Sequence, residues 1–376
     1  MTPTRQVPLN SLAPGVQALR EEIDAAIRRV LDRGWFVLGP EGKAFERDFA
    51  TFHGPGYEAV GVGSGTDALR IGLQAIGVAA GDEVLVVANA GVPPVAAVVA
   101  AEATPVYCDV MPDGHTLDPR EIERRATPRT RAVLVVHLYG RMAAMDRIVA
   151  SAGPRGLVVL EDCAQAHGAR FQGRLAGTWG GASAFSFYPT KNLGALGDGG
   201  AVLTNLPDVA ERARLLRNYG WREQYRSELH STNSRLDELQ AAVLAAKLPH
   251  LDRSNAARRR LAAIYREALS NLEGVVLPEE GQCDEPVHHL FVVRVLKQRD
   301  ELRAFLAEHG VGSGVHYPLP VHLQPAYARF GNGPGSLPHT ERLAKEVLSL
   351  PLYPELAPDD VAYVAQRVKA FLRRGA

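Results

Sequence analysis

The sequence predicts an α/β fold built on a mostly parallel sheet covered on both faces, and two observations carry that prediction. From Ala59 onward, short apolar runs rich in Val, Leu and Ile alternate with helical segments. Strands buried on both faces read as such near-continuous apolar runs, and parallel strands need a helical crossover between them. A length of 376 residues suits two domains and is ample to bury a large core.

The elements follow in order. The stretch "PGVQALREEIDAAIRRVLDRG" places Val16, Leu19, Ile23, Ile27 and Val30 at helical spacing and stops at Gly34, which predicts one amphipathic helix. The runs "AVGVG", "EVLVVA", "PVYCDV", "RAVLVVHLYG" and "GLVVLED" read as strands, with "TDALRIGLQAIG" and "PVAAVVAAEA" as helices between the first three. "ASAFSF" is a further strand headed into the core. The long helical pattern "ELQAAVLAAKLPHLDRSNAARRRLAAIYREAL" breaks at Pro249. After it, "HHLFVVRVL" and "RDELRAFLAEHG" predict strands with helices packed on one side. The domain boundary is therefore expected near residue 250, with a larger domain over 1–250 that includes an N-terminal helical arm, and a smaller one over 251–376.

Charge and cysteine content exclude several functions. Lys plus Arg and Asp plus Glu each total 42, so no basic stripe recommends nucleic acid or a membrane surface as partner. No run approaches the roughly 18 to 20 apolar residues that a spanning helix needs. Cys108, Cys163 and Cys283 are too few and too scattered for a disulfide framework or a zinc site, and "MTPTRQVPLNSL" lacks the apolar run of a signal peptide. A soluble cytoplasmic protein with a small neutral or anionic ligand is the expectation, with no metal.

Ligands of open parallel sheets bind beyond the C-terminal ends of the strands, so the residues after each apolar run matter most. After "GLVVL" comes Asp162, a carboxylate at a strand end that by itself could simply cap a helix. After "AVGVG", Ser64, Gly65 and Thr66 open a helix whose free N–H groups and dipole suit a phosphate, although an ordinary N-cap has the same look. After "ASAFSF" comes Lys191, with Ser186 upstream and a run of glycines downstream; its apolar neighbours argue against a plain surface lysine. An amine, a carboxylate and a phosphate cradle in this order are what pyridoxal phosphate requires. The amine forms a Schiff base with the aldehyde, the carboxylate keeps the ring nitrogen protonated, and the helix N-terminus takes the phosphate.

Those segments, with "GWFVLGPEGKAFERDFA", "GDEVL", "VHLYG", "EDCAQAHGA", "FSFYPTKNLGALGDGGAV", "NSRLDELQAA", "HYPLPVHLQPAY" and "LSLPLYPEL", resemble the DegT/DnrJ/EryC1/StrS family of pyridoxal-phosphate sugar aminotransferases over nearly the whole chain. The resemblance implies an α/β fold-type I pyridoxal-phosphate transferase, like aspartate aminotransferase, with a large seven-stranded domain and a small C-terminal α+β domain. It also implies a homodimer with active sites at the interface. By position, Lys191 becomes the Schiff-base lysine and Asp162 the partner of the pyridine nitrogen. Gln165 lies near the ring, Gly65, Thr66 and Ser186 bind the phosphate, and Asn233 reaches it from the other subunit. Tyr188, Tyr317 and His322 are expected to face a nucleotide-linked keto-sugar. Core packing explains the two tyrosines equally well, and a backbone-bonded loop histidine explains His322.

The implied reaction moves an amino group from an amino acid such as L-glutamate to that sugar. The "EDCAQAHGA" block together with "FSFYPTKNLGALGDGG" is most similar to members acting on dTDP-3-keto-6-deoxyhexoses, with a 4-keto sugar or keto-cyclitol as the alternative. Two departures stand out. Ala90 and Gly91 occupy the place where the family usually has an aromatic residue over the cofactor, and Ser231 replaces a common glycine. Two other classes fit the residues less well. "GVGSGT" resembles a dinucleotide fingerprint, but Asp82 and Glu83 precede the next strand when the ribose contact should follow it. A non-catalytic regulator on the same fold conflicts with the retention of Lys191 and Asp162 together.

Overall fold

The computed structural model describes residues 5–278 and 284–374, so Cys283 lies outside the described residues. Seven strands form the main sheet: β1 (Glu58–Val62), β2 (Glu83–Val87), β3 (Thr104–Cys108), β4 (Thr130–Val136), β5 (Val158–Asp162), β6 (Ala182–Ser186) and β7 (Gly200–Thr204). Their order across the sheet is β1-β7-β6-β5-β4-β2-β3. All neighbouring pairs run parallel except those of β7, which lies antiparallel to both β1 and β6. The sheet is thus mostly parallel, and the C-terminal ends of the six other strands share one edge.

The apolar runs explain this arrangement. Every residue of β2, β6 and β7 is buried, as expected for strands covered by helices on both faces. Helix Gly65–Ala75 crosses from β1 to β2 and buries Leu69, Ile71 and Leu73; full burial of each such side chain contributes about 1.5–3 kcal/mol.

The single N-terminal helix expected from the pattern is two helices, Ala13–Ala18 and Arg20–Arg33. Leu19 leaves helical geometry and the second helix starts from its carbonyl, which accepts the Ile23 N–H at 2.9 Å. Ile23, Ala26 and Val30 are buried, and Ala26 and Val30 pack on Ala242 of helix Glu238–Lys247. Gly34 ends the arm at φ 66°, as the stop signal predicts. The break at Pro249 is a single 3₁₀ turn, Leu248–His250, before helix Leu251–Leu269.

Beyond that helix, β8 (Val275–Val276), β9 (Phe291–Val295) and β10 (Val347–Leu350) form an antiparallel sheet. Its apolar face packs with Tyr265, Leu269 and the C-terminal helix Pro358–Leu372 in a second cluster, which Val7 from the N-terminal segment also enters. No helix among the described residues is long and apolar enough to cross a membrane.

Candidate active site

The C-terminal edge of the sheet gathers the chemistry. After β1, Ser64 caps helix Gly65–Ala75, its Oγ accepting from the Asp67 N–H at 3.1 Å. The N–H groups of Gly65 and Thr66 have no carbonyl one turn earlier in the helix to bind, so they stay available at its positive end. Gly65 has no space for a side chain, because a Cβ there would lie 2.5 Å from Cβ of Ser186, the last residue of β6. The helix start and the Ser186 hydroxyl therefore border the same small space.

Asp162 ends β5 and is 5% exposed. Its Oδ1 accepts the Ala164 N–H at 3.0 Å, while Oδ2 takes no hydrogen bond among the described residues. Burial pushes its pKa up, against the pull of that N–H, Lys191 and His137. Lys191 follows β6 after a turn in which its backbone N–H donates to the Tyr188 carbonyl at 2.8 Å. Burial holds its amine below the ordinary lysine pKa, and the charge of Asp162 opposes this. Each group favours ionisation of the other, yet for both burial is the larger effect.

The residue after the lysine anchors this turn. Asn192 donates from Nδ2 to Oδ1 of Asn255 at 2.9 Å and to the Val287 carbonyl at 3.1 Å, and its Oδ1 lies 3.1 Å from Nδ1 of His289. Asn255 in turn donates to the His167 carbonyl at 2.8 Å. The ring of His167 sits against Phe185 and Phe187, with both nitrogens buried and unbonded. Burial first and the Lys191 charge second lower the pKa of His167 to about 3 and push those of His289 and His316 below the ordinary histidine value. Burial and the nearby amine thus both disfavour charge on these three imidazoles.

Of the residues singled out in the sequence, Gly65, Thr66, Asp162, Gln165, Ser186, Lys191 and Tyr317 come to this edge. Gln165 accepts the Tyr139 N–H at 2.7 Å, and its side chain is close enough to the Tyr317 phenol to offset part of the rise that burial causes in its pKa. Tyr188 is exposed beside them. Asn233 is exposed and its Oδ1 accepts the Tyr219 hydroxyl at 3.1 Å, while the next residue, Ser234, accepts the Gly63 N–H at 2.9 Å. His322 has no exposed surface and pairs with Glu341 at 3.2 Å. The structure differs from both expectations for it: its side chain has no exposed surface, and its bonded partner is the partly buried carboxylate of Glu341 and not backbone.

Sequence reasoning missed Asn192, Asn255, His167, His289 and His316. Asn192 adjoins Lys191, and His167 and His316 lie within the quoted blocks "EDCAQAHGA" and "HYPLPVHLQPAY", whereas nothing in the sequence marks Asn255 or His289. Ser231, one of the two departures, donates its hydroxyl to the Leu216 carbonyl. Asp82 and Glu83 serve turns at the opposite edge of the sheet, Asp82 accepting the Ala79 N–H and Glu83 bonded to Thr127 and Arg129. Neither is free to bind a ribose.

The residues fit pyridoxal phosphate. Asp162, buried at the strand end, keeps Oδ2 without a hydrogen bond among the described residues, the Lys191 amine makes none either, and the cradle at Gly65 closes if a Cβ is added. Residues 17–369 match the DegT/DnrJ/EryC1/StrS aminotransferase family. The chain is 49% identical over 371 residues to a dTDP-3-amino-3,4,6-trideoxy-alpha-D-glucose transaminase of Streptomyces venezuelae, spanning 99% of this chain and 97% of that one. The crystal structure of S. venezuelae DesV in complex with a ketimine intermediate superposes with a TM-score of 0.96 at 49% identity, covering 99% of this chain and 100% of that one. NtdA from Bacillus subtilis with bound cofactor PMP superposes with a TM-score of 0.89 at 31% identity, over 97% of this chain and 85% of that one. With a family match over nearly its whole length, this chain belongs to the DegT/DnrJ/EryC1/StrS aminotransferase family and uses pyridoxal phosphate.

Proposed function

We propose that the protein moves an amino group from L-glutamate to a nucleotide-linked keto-sugar, a dTDP-3-keto-6-deoxyhexose, in amino-sugar biosynthesis. The observation that carries this reading is the juxtaposition of Lys191, Asp162 and the N-terminus of helix Gly65–Ala75 on one sheet edge. The 3-amino product named for the S. venezuelae relative favours the 3-keto position.

Pyridoxal phosphate, when bound, supplies an aldehyde that accepts the amino group and a ring that withdraws electrons from the adjacent carbon. Gly65 and Thr66 N–H groups and the Ser186 hydroxyl hold its phosphate, and Asp162 keeps a proton on the ring nitrogen. Gln165 lies beside the ring. Lys191 holds the cofactor covalently at rest. With the cofactor bound and its own link to it released by the donor amine, Lys191 would be the group that takes up and returns the proton of the donor α-carbon. The lowered pKa of Lys191 suits this work, because a protonated amine can neither attack nor accept. Water would supply the oxygen with which the donor leaves as a 2-oxo acid, and in the second half the same amine would run the proton transfer in reverse on the ketone, whose oxygen departs as water. Tyr188 and Tyr317 face the sugar. A second copy of the chain supplies Asn233 to the phosphate, in a homodimer working in the cytoplasm. The chain divides near residue 250 into a cofactor-binding part and a smaller part over 251–376.

The test is direct. Purified protein given pyridoxal phosphate turns yellow, and borohydride reduction leaves the cofactor on Lys191 in the digest. L-Glutamate then bleaches the visible band, and dTDP-linked 3-keto-6-deoxyhexose restores it where the 4-keto isomer does not. Restoration by the 4-keto sugar alone would overturn the assigned position. A colourless protein would overturn the whole reading.

A further inference from the structure

We propose that the phenol ring of Tyr317 covers the cofactor face that Ala90 and Gly91 leave bare, and that residue 91 is glycine because this ring fills its side-chain space. The inference rests on the reading of the site as a pyridoxal-phosphate site and adds to the sugar-facing role given to Tyr317.

The geometry is specific. A Cβ built on Gly91 would lie 3.0 Å from Cζ of Tyr317 and 3.2 Å from both Cε1 and Cε2, so the phenol end of the ring takes the volume in which a side chain at 91 would start. Gly91 also has φ 76°, a conformation that L side chains rarely adopt. Two independent constraints thus keep the loop after β2 from offering an aromatic side chain there, and the ring arrives from residue 317 in its place.

That ring is held from several sides. Its hydroxyl lies near the Gln165 side chain, and Tyr139 donates its own hydroxyl to the carbonyl of the preceding residue, His316. The imidazole Nδ1 of His316 lies 2.8 Å from Ser349 Oγ. Further along, the Val321 N–H donates to the Ala88 carbonyl at 2.9 Å, which ties this segment to the same β2 loop that carries Gly91. Asp162 is close enough to add to the rise that burial causes in the Tyr317 pKa. A ring set between Gly91 and the Asp162–Gln165 pair overlies the pyridine half of a cofactor whose ring nitrogen meets Asp162. Held in advance, such a ring costs little further ordering on binding.

The experiment uses apoprotein, from which hydroxylamine and dialysis have removed the cofactor, titrated with pyridoxal phosphate. Affinity comes from the visible absorbance, and the geometry around the ring from visible circular dichroism. Loss of an aromatic contact predicts binding roughly threefold to tenfold weaker for Tyr317→Ala, with a diminished dichroic band. Tyr317→Phe keeps the ring and stays close to wild type in both. Gly91→Phe alone weakens binding through collision with Tyr317, and joining it to Tyr317→Ala recovers part of the loss, a coupling that two independent sites would not give. Melting of each apoprotein separates these effects from misfolding. Should the double variant fail to fold, the Phe and Ala variants still decide. Wild-type affinity and dichroism in Tyr317→Ala, or equal losses in Phe and Ala, would overturn the proposal. Wild-type protein that takes up no cofactor would instead overturn the aminotransferase reading itself.

Discussion

Asn192, the residue after Lys191, donates to Asn255 at 2.9 Å and so fastens the lysine turn to helix Leu251–Leu269. Asn255 is 1% exposed and passes the connection on to the His167 carbonyl. Asn255→Ala would strip a donor from that carbonyl and an acceptor from Asn192 in a dry environment. The expected loss is about 1–3 kcal/mol of stability in denaturant unfolding, accompanied by weaker cofactor retention. Asn255→Asp keeps the acceptor but faces a carbonyl with a carboxylate, and is expected to lose at least as much. An alanine variant as stable as wild type would show that the network contributes nothing.

The pairing of Lys191 with Asp162 has a pH signature. Burial lowers the lysine pKa and the Asp162 charge raises it, so Asp162→Asn removes the opposing influence and moves the pKa further down. In apoprotein, the labelling rate of Lys191 by an amine-reactive reagent, followed by mass spectrometry against pH, is expected to show its midpoint at lower pH in the variant. The same variant is expected to attach pyridoxal phosphate yet lose most of its transamination rate, since a neutral pyridine attracts electrons poorly. An unmoved midpoint would mean that the two groups do not sense each other.

Glu161, fully buried just before Asp162, tests the frame behind the site. His137 Nδ1 accepts the Ala143 N–H at 3.2 Å, which leaves the ring proton on Nε2 to be donated to Glu161 at 2.9 Å. The carboxylate also accepts the N–H groups of Gly177, Trp179 and Gly180 at 2.9, 2.7 and 2.8 Å. Burial raises the Glu161 pKa, but these bonds, led by that of His137, outweigh it and hold the group below the ordinary value of 4.5. A depressed folded-state pKa gives stability that is present above the unfolded value and is lost as pH falls through the folded one. Glu161→Gln is therefore expected to be less stable at pH 7 by about 1–3 kcal/mol and to depend less on pH below 4.5. An unchanged acid-unfolding profile would remove Glu161 from the acid-labile groups.

What the sequence made legible was local. Apolar runs located six of the seven strands of the main sheet, β7 being missed, because burial on both faces leaves little room for alternation, and residues at or after the ends of β1, β5 and β6 pointed to the site because strand ends are adjacent in sequence to the loops they launch. What it hid was pairing at a distance. Asn192 and Asn255 look like ordinary loop and helix residues until the fold closes the gap between them. His322 shows the converse: its motif suggested a place near substrate, yet its side chain has no exposed surface and bonds the partly buried Glu341. The ring over Gly91 was equally invisible, since no local pattern says which distant side chain fills the volume that a glycine leaves.

Asn233 lies on an exposed loop together with Tyr225, which is 81% exposed, while Trp35 and Phe36 expose about half of their surface elsewhere on the chain. Large apolar side chains left in water mark surfaces that associate. If a second copy brings its Asn233 to the phosphate, each complete site draws Lys191 and Asp162 from one chain and Asn233 from the other. Lys191→Ala is inactive because its chemistry is gone, and Asn233→Trp is expected to be inactive because a bulky ring blocks the cradle. In a dimer of one such chain with the other, one site collects both lesions and its neighbour has neither. After denaturation and joint refolding of equal amounts, random pairing makes half of the dimers mixed, and activity is expected at about a quarter of the wild-type level. Mixed dimers, verified by native mass spectrometry, that stay inactive would show that Asn233 acts within its own chain or takes no part in the site.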